Sequence, residues 1–256
     1  MFALERQKKI IEILNREGSV FVNKLSVTLG VTEETIRRDL EKLEKQELLM
    51  RTHGGAVPID ESTYELSLET RKRTNVDIKM RLAKEAVKHI IPGDIIFLDA
   101  STTTFYMAKE LKKMVNVTIV TNSLRVVGEL ANQENLKVIL VGGVVSNNQS
   151  VIGSLAERTV EENYFAGKMF LSSKGIDSDV GLLESNEKEC GIKKIMMKNC
   201  RQRYYLCDKS KIGRVGFVKL APLEDVDFII TEAELDTQWR EKLAELKIEL
   251  IKIEDE

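Results

Sequence analysis

The sequence predicts an α/β chain in two unequal parts: a small helical domain with a short β-wing, joined to a larger domain built on a mostly parallel sheet. Three observations carry this. Residues 1–57 hold three apolar helical stripes followed by a glycine-tipped extended pair; residues 58–76 are polar, start near Pro58 and show little periodicity. From residue 77 to 256, short β-branched apolar runs alternate with amphipathic stretches, the pattern of parallel strands covered by helices on both faces. At 256 residues and 43% hydrophobic, the chain is long enough to bury two cores.

In the first helix, residues 4–16, Leu4, Ile10, Ile11, Ile13 and Leu14 form one apolar side, and Gly18 marks its stop. A second helix covers residues 22–29, with Leu25 and Leu29 four apart. Gly30 supplies a left-handed turn and Thr32 is a good N-cap for a third helix. There Ile36, Leu40 and Leu43, spaced by four and three, face the core and leave Thr35, Arg37 and Arg38 outward. Residues 48–56, with Gly54 and Gly55 at the tip, read as a wing carrying Arg51 and His53. A short helix, a glycine turn and a second helix bearing adjacent arginines is the layout of a winged helix-turn-helix that enters a DNA major groove. The candidate DNA contacts are Thr32 and Thr35 at the helix start, Arg37 and Arg38 for guanine edges or phosphates, and Arg51 and His53 for the flanking backbone or minor groove. The competing view is a helical domain with merely solvated arginines. Bulk charge does not decide: the whole chain carries 39 basic and 41 acidic residues, net −2, and residues 1–57 carry ten against nine, net +1.

In the larger domain, Ile78, Leu82, Ala83, Ala86, Val87 and Ile90 line a helix that stops at Pro92, Gly93 and Asp94. Strands are expected at 95–98, 117–120, 138–141, 169–172, 204–207, 228–230 and 248–253, with helices around Phe105, Ala108 and Leu111 and over 124–131. Small polar loops follow the first three strands: Asp99, Ala100, Ser101, Thr102, Thr103 and Thr104; then Thr121, Asn122 and Ser123; then Gly142 and Gly143. Ligands of open parallel sheets bind at the carboxyl ends of strands, and a loop running into a helix offers N–H groups and hydroxyls to a phosphate. The same threonines can simply cap helices, and the glycines simply turn the chain. Lys174, Lys209 and Lys211, in later loops, are candidate cations for that phosphate. Asn186 and Glu189, three apart, suit a capping box, with Glu187 between them.

The run "LSVTLGVTEETIRRDLEKLEKQELLMRTHGGA" resembles the DNA-binding signature of the DeoR family of bacterial transcriptional regulators. Further along, "GDIIFLDASTTTFYMAKEL", "VTIVTNSL", "VILVGG", "GIDSDVGL", "SNEKE" and "YYLCDKSKIG" follow in the order of that family's sensor domain, so the resemblance spans nearly the whole chain. It implies a C-terminal domain similar to sugar-isomerase and CoA-transferase folds, a phosphorylated sugar as effector and double-stranded operator DNA as partner. It also places Glu187 near the ligand region. Two departures, "MFLSSKGID" and "CDKSK" where many members have Ala or Gly before "GID" and "ADSSK", put the effector's identity in doubt, with Lys174 at the first.

The resulting expectation is a cytoplasmic repressor of a carbohydrate operon, a homodimer or homotetramer without cofactor or metal. Cys190, Cys200 and Cys207 form no CxxC pair and have no nearby histidine, which fits thiols in a reducing compartment. No apolar run nears the roughly 18 residues of a membrane span, and no signal-peptide core is evident at the N-terminus. The rival is a sugar-phosphate isomerase or CoA-transferase-like enzyme fused to a DNA-binding module. Its base would be sought among Asp99, Asp177 and Glu187, none of which shows a spacing that demands catalysis.

Overall fold

The computed structural model describes residues 2–58 and 66–253, and the chain divides into two compact units, one up to Arg71 and one from Lys72. Of the stretch expected to be a linker, residues 59–65 lie outside the described residues, and Leu68–Arg73 is helical.

The first unit orders α1 (Ala3–Glu17), β1 (Val20–Phe21), α2 (Val22–Leu29), α3 (Glu33–Lys45), β2 (Met50–Thr52) and β3 (Gly55–Val57), after which α4 (Leu68–Arg73) crosses into the second. Gly30 closes α2 at φ 63°, where a side chain would be strained, and frees the chain to start α3 at Thr32. Ile10, Leu14, Leu25, Leu29, Ile36, Leu40 and Leu43 share one core, so the three helical stripes face one another. The wing is β2 paired antiparallel with β3, and β1 adds a third strand on the far side of β3. A Cβ on Gly55 would lie 1.9 Å from the Val20 carbonyl oxygen, so this pairing requires glycine there.

The second unit continues with α5 (Val76–Val87), β4 (Ile95–Leu98), α6 (Thr102–Leu111), β5 (Val117–Thr121), α7 (Leu124–Leu130) and β6 (Leu136–Leu140). A hairpin of β7 (Val144–Val145) and β8 (Val151–Ile152) leads to α8 (Ser154–Asn163) and β9 (Ala166–Leu171). Next come β10 (Gly175–Asp177), β11 (Gly181–Glu184), α9 (Glu187–Lys198), β12 (Cys200–Leu206), β13 (Val218–Ala221), β14 (Phe228–Thr231), α10 (Thr237–Glu245) and β15 (Glu249–Lys252). Seven strands, at the seven expected positions, form one sheet in the order β15-β14-β12-β9-β4-β5-β6, parallel at every pairing. Side chains alternate between its faces, as the period of two requires. Ile96, Leu98, Ile119 and Phe170 join the core under α5, α6 and α7, while Phe97, Val120, Met169 and Leu171 join the one under α8, α9 and α10. A small antiparallel sheet, β10-β11-β13, has no counterpart in the expected elements.

The order fixes where a ligand can enter. From β4 the chain builds outward through β5 and β6, then returns to the other side of β4 with β9 and builds outward again through β12, β14 and β15. The switch point therefore lies between the carboxyl ends of β4 and β9, where connections leave in opposite directions and open a crevice.

Candidate DNA interface and effector site

Helix α3 presents the arginines as its spacing requires. Thr32 Oγ1 accepts the Thr35 N–H at 3.3 Å, and the two hydroxyls lie 2.9 Å apart. With Ile36, Leu40 and Leu43 buried, Arg37 and Arg38 point outward, each steadied by the glutamate one turn earlier: Arg37–Glu33 at 2.6 Å and Arg38–Glu34 at 3.2 Å. Such exposed pairs contribute about 0.3–0.5 kcal/mol each, so a phosphate or a guanine edge can displace them. Arg51 on β2 donates its backbone N–H to Glu44 of α3 at 3.0 Å, which fixes the wing to the helix. His53 is exposed at the wing turn, beside Gly54 at φ 97°.

Asp39 lies on the opposite side of α3 and was not among the residues singled out. It is 2% exposed and accepts from Arg6 Nε at 2.5 Å and Gln7 Nε2 at 2.9 Å, tying α1 to the back of α3. Its place between the core positions Ile36, Leu40 and Leu43 was the available signal: a carboxylate on a buried stripe needs a partner.

At the switch point of the large sheet, Asp99 directly follows β4 and is fully enclosed. Oδ1 accepts from Thr104 Oγ1 at 2.6 Å and from the Ser101 N–H at 3.0 Å; Oδ2 accepts from the Ser172 N–H at 3.1 Å and faces Lys193 Nζ at 3.1 Å. Burial alone would raise this carboxyl, but Lys193, Thr104 and the two backbone donors together hold it below the usual carboxylate range. Lys193, on α9, also pairs with Glu184 and donates to the Ser172 carbonyl at 2.6 Å. Burial would lower this ammonium; Asp99 and Glu184 reverse that and push it up.

Around this buried group the loop takes a fixed shape. Ser101 caps α6, its Oγ accepting the Thr104 N–H at 3.1 Å, and Thr102, Thr103 and Thr104 are all buried. The Thr102 and Thr103 N–H groups have no intrahelical acceptor and, unlike that of Thr104, are available to an anion. Lys211 brings charge to the same place: Nζ donates to Ser172 Oγ at 2.5 Å and to Thr103 Oγ1 at 3.5 Å. Burial draws the Lys211 ammonium down despite Asp208 nearby.

The neighbouring loops follow in register. Thr121 Oγ1 donates to the Leu98 carbonyl at 2.6 Å and accepts the Ser123 N–H at 3.1 Å; Ser123 caps α7. Asn122 is 1% exposed; its Nδ2 donates to the Val151 carbonyl at 3.1 Å, while its Oδ1 has no partner among the described residues. Gly142 and Gly143 follow β6 and are exposed, and Gly143 passes so close to Val151 and Ile152 that a Cβ would meet them at 2.8–2.9 Å. The loops after β4, β5 and β6 thus sit side by side at the carboxyl edge, with those after β9 (Lys174) and β12 (Lys209, Lys211) on the other side of β4. Lys209 is exposed, and its backbone N–H donates to Glu232 at 2.9 Å. Asp177 ends β10 in the small sheet, its Oδ1 accepting from the N–H groups of Asp179 and Val180. Glu187 is exposed in the first turn of α9.

The expected capping box at α9 is only half formed. Asn186 accepts the N–H groups of Lys188 and Glu189, but the Glu189 carboxylate turns away to accept from Ser146 at 2.9 Å and Ser150 at 2.5 Å. Glu189 is 8% exposed, and two hydroxyl donors satisfy it better there than the Asn186 N–H would at the helix end. A separate cavity of about 410 Å³, lined by Lys194, Met197, Lys198, Arg203, Leu220, Ala221 and Asp225, holds none of these residues. All three cysteines are buried and unbridged. Among the described residues, no helix is long and apolar enough to cross a membrane, and no three His, Cys, Asp or Glu side chains cluster as a metal site.

A winged helix-turn-helix followed by a switch-point α/β unit defines a DNA-binding transcriptional regulator with a sensor domain. The comparisons agree: residues 6–62 match the DeoR-like helix-turn-helix domain and residues 74–233 match the DeoR C terminal sensor domain. This chain belongs to the DeoR family of transcriptional regulators. It is 44% identical over 251 residues to the uncharacterized HTH-type transcriptional regulator YulB of Bacillus subtilis, covering 98% of this chain and 96% of that one. It is 35% identical to the HTH-type transcriptional regulator GlpR of Haloferax volcanii (95% of each chain), and 32% identical to the Glycerol-3-phosphate regulon repressor of Escherichia coli (96% and 97%). Among solved structures, ribose 5-phosphate isomerase A from Methanocaldococcus jannaschii is similar over 54% of this chain and 55% of that chain, at 19% identity and a TM-score of 0.42. A 4-hydroxybutyrate CoA-transferase from Porphyromonas gingivalis covers 66% and 52%, at 13% identity and a TM-score of 0.41.

Proposed function

We propose that this protein is a cytoplasmic repressor of a carbohydrate-use operon, that it binds a two-fold operator as a homodimer or homotetramer, and that a phosphorylated sugar in the second unit releases it. The observation that carries the effector class is the convergence, at the switch point, of the α6 first turn with its three threonines and Lys211 Nζ on Thr103 and Ser172. Helix-end donors plus one cation suit a phosphate. Asn122 Oδ1, buried and lacking a donor, offers an acceptor to a sugar hydroxyl on the adjacent loop. The names of relatives support the substrate class, since they include a Glycerol-3-phosphate regulon repressor and an L-fucose operon activator, the latter 34% identical and from Haemophilus influenzae. Thr32, Thr35, Arg37, Arg38, Arg51 and His53 contact the operator in this scheme.

The test is a thermal-shift screen against phosphorylated sugars, followed by a DNA-shift titration on sequences selected from a random pool. A ligand at about 100 times its Kd adds roughly 2.7 kcal/mol of stability. The expected hit releases DNA, is not turned over, and loses its effect in Lys211→Ala. A screen without a hit, or an equal shift in Lys211→Ala, refutes the effector assignment; tighter DNA binding with ligand refutes the repressor mode.

A further inference from the structure

The chain entering the second unit is fastened to the same turn that carries Lys211. At the start of α4, within the first unit, Ser67 donates its N–H to Glu47 Oε2 at 2.6 Å and caps the helix by accepting the Thr70 N–H at 3.2 Å. Past the unit boundary the fastenings change. Tyr106 Oη, on α6, donates to the Lys72 carbonyl at 3.3 Å, and Lys79 Nζ donates to the Thr74 carbonyl at 2.8 Å. Asn75 Nδ2 then donates to Asp208 Oδ1 at 3.1 Å and lies 3.4 Å from Ser210 Oγ. Asn75 also holds a left-handed backbone, φ 52°, as the residue before α5. Asparagine is, after glycine, among the residues that take that conformation most readily.

Asp208 is 2% exposed and caps the Lys209–Lys211 turn by accepting the Ser210 N–H at 3.0 Å. Besides the Ser210 donors of that turn, Lys211, Lys79 and the Asn75 amide offset its buried charge. Lys211 is the one shared with the α6 loop, through Ser172 and Thr103.

We infer that Asn75 is a positioning residue that couples the effector loop to the DNA-binding unit, its bond to Asp208 tightening when Lys211 is drawn to an anion at Thr103. This rests on the phosphate reading of the α6 loop. With part of its cationic compensation withdrawn, Asp208 relies more on the Asn75 amide, so effector binding fixes the segment from residue 66 to 76 and the effector-free protein leaves it looser.

Hydrogen exchange and DNA binding on the full chain test this. Asn75→Gly keeps the left-handed backbone and removes the amide; Asn75→Asp removes the donor and sets a carboxylate against Asp208. Both should speed exchange within residues 66–76 by about tenfold, the effect of losing one hydrogen bond to a charged group. Both should retain binding of the probes, inorganic phosphate and fructose 6-phosphate. Their DNA response to fructose 6-phosphate should fall below about threefold, against the 5–150-fold usual for allosteric coupling. Lys211→Ala supplies an arm without ligand: withdrawing the cation should slow exchange at 66–76, and Asn75→Gly should cancel that slowing. Unchanged exchange in both Asn75 variants, a full DNA response in both, or unchanged exchange in Lys211→Ala overturns the coupling. If the wild type binds neither probe while Lys211→Ala still slows exchange, the coupling stands and the effector class falls.

Discussion

Replacing Lys193 by methionine keeps most of the apolar stem and removes the charge from between Asp99 and Glu184. The structure sets the size of the effect. Lys193 is 5% exposed, and its ammonium faces Asp99 Oδ2 at 3.1 Å, Glu184 and the Ser172 carbonyl at 2.6 Å. Breaking a buried ion pair by deleting one partner costs about 3–5 kcal/mol, because the remaining charge is left buried. Asp99 keeps Thr104 and two N–H donors, and Glu184 sits closer to the surface, so the lower end, about 3 kcal/mol, is expected. In a domain of this size each kcal/mol moves Tm by about 2–4 °C, giving a loss of about 6–12 °C. The single tryptophan, Trp239 on α10, makes fluorescence a report on the second unit alone. Urea unfolding followed at Trp239 measures the loss, and Asp99→Asn on the Lys193→Met background should return part of it. A loss under about 1 kcal/mol, or no recovery in the double variant, would show that the pair is not the electrostatic centre of the switch point.

Acid should unfold the second unit. The Asp99 and Asp208 carboxyls are both held below their ordinary value, so the stability they contribute is present above about pH 4 and is lost as pH falls through their folded pKa values; in Lys193→Met this acid dependence weakens, and an unchanged pH profile would contradict it. Arg37→Ala and Arg38→Ala should each weaken operator binding by about 1–3 kcal/mol if they read bases, or weaken all sequences alike and lower the salt slope if they hold phosphates, as DNA-shift titrations at several salt concentrations will show. Thr103→Asp sets a carboxylate against the incoming phosphate and should abolish the ligand response while operator binding persists, as calorimetry and a DNA-shift assay can check; an unchanged response would move the phosphate elsewhere. A fragment starting at residue 72 should fold and remain oligomeric, since a symmetric operator needs a symmetric protein; a folded monomer in sedimentation would place the dimer contacts elsewhere.

What could be read from the sequence follows from how each feature is encoded. The seven sheet strands were legible because each is a short apolar run whose neighbours alternate between two cores, as Ile96 and Phe97 do. Helix α3 was legible because Gly30, Thr32 and the Ile36–Leu40–Leu43 spacing are local signals. The small sheet was not: "GID", "GLLE" and "VKLA" are three- or four-residue strands, and β11 pairs with β13 across more than thirty residues. Lys193 was missed for a related reason. It stands in a helix beside Lys194 and near Lys198, and only tertiary packing turns it inward beneath Asp99. Glu189 matched a local capping rule, yet Ser146 and Ser150, about forty residues away, claim its carboxylate.

The buried charges have a consequence for how the loop can respond. Apolar packing fills a switch point at least as stably as an ion pair, since desolvation offsets most of the Coulombic gain. What Asp99 and Lys193 add is geometry. One carboxylate fixes the Ser101 and Ser172 N–H groups and the Thr104 hydroxyl at once, so the carboxyl ends of β4 and β9 and the first turn of α6 are held as a single piece. In the proposed scheme an anion arriving at Thr103 would meet donors already oriented, and little energy would be lost in ordering them. The response must pass instead to whatever is less firmly held. Lys211 would meet that condition, because its Nζ is held by two hydroxyls, whereas Lys193 is held directly by two carboxylates. In the proposed scheme a rigid cradle beside Lys211 would convert ligand charge into displacement of that one side chain, which sits on the turn to which Asn75 is tied.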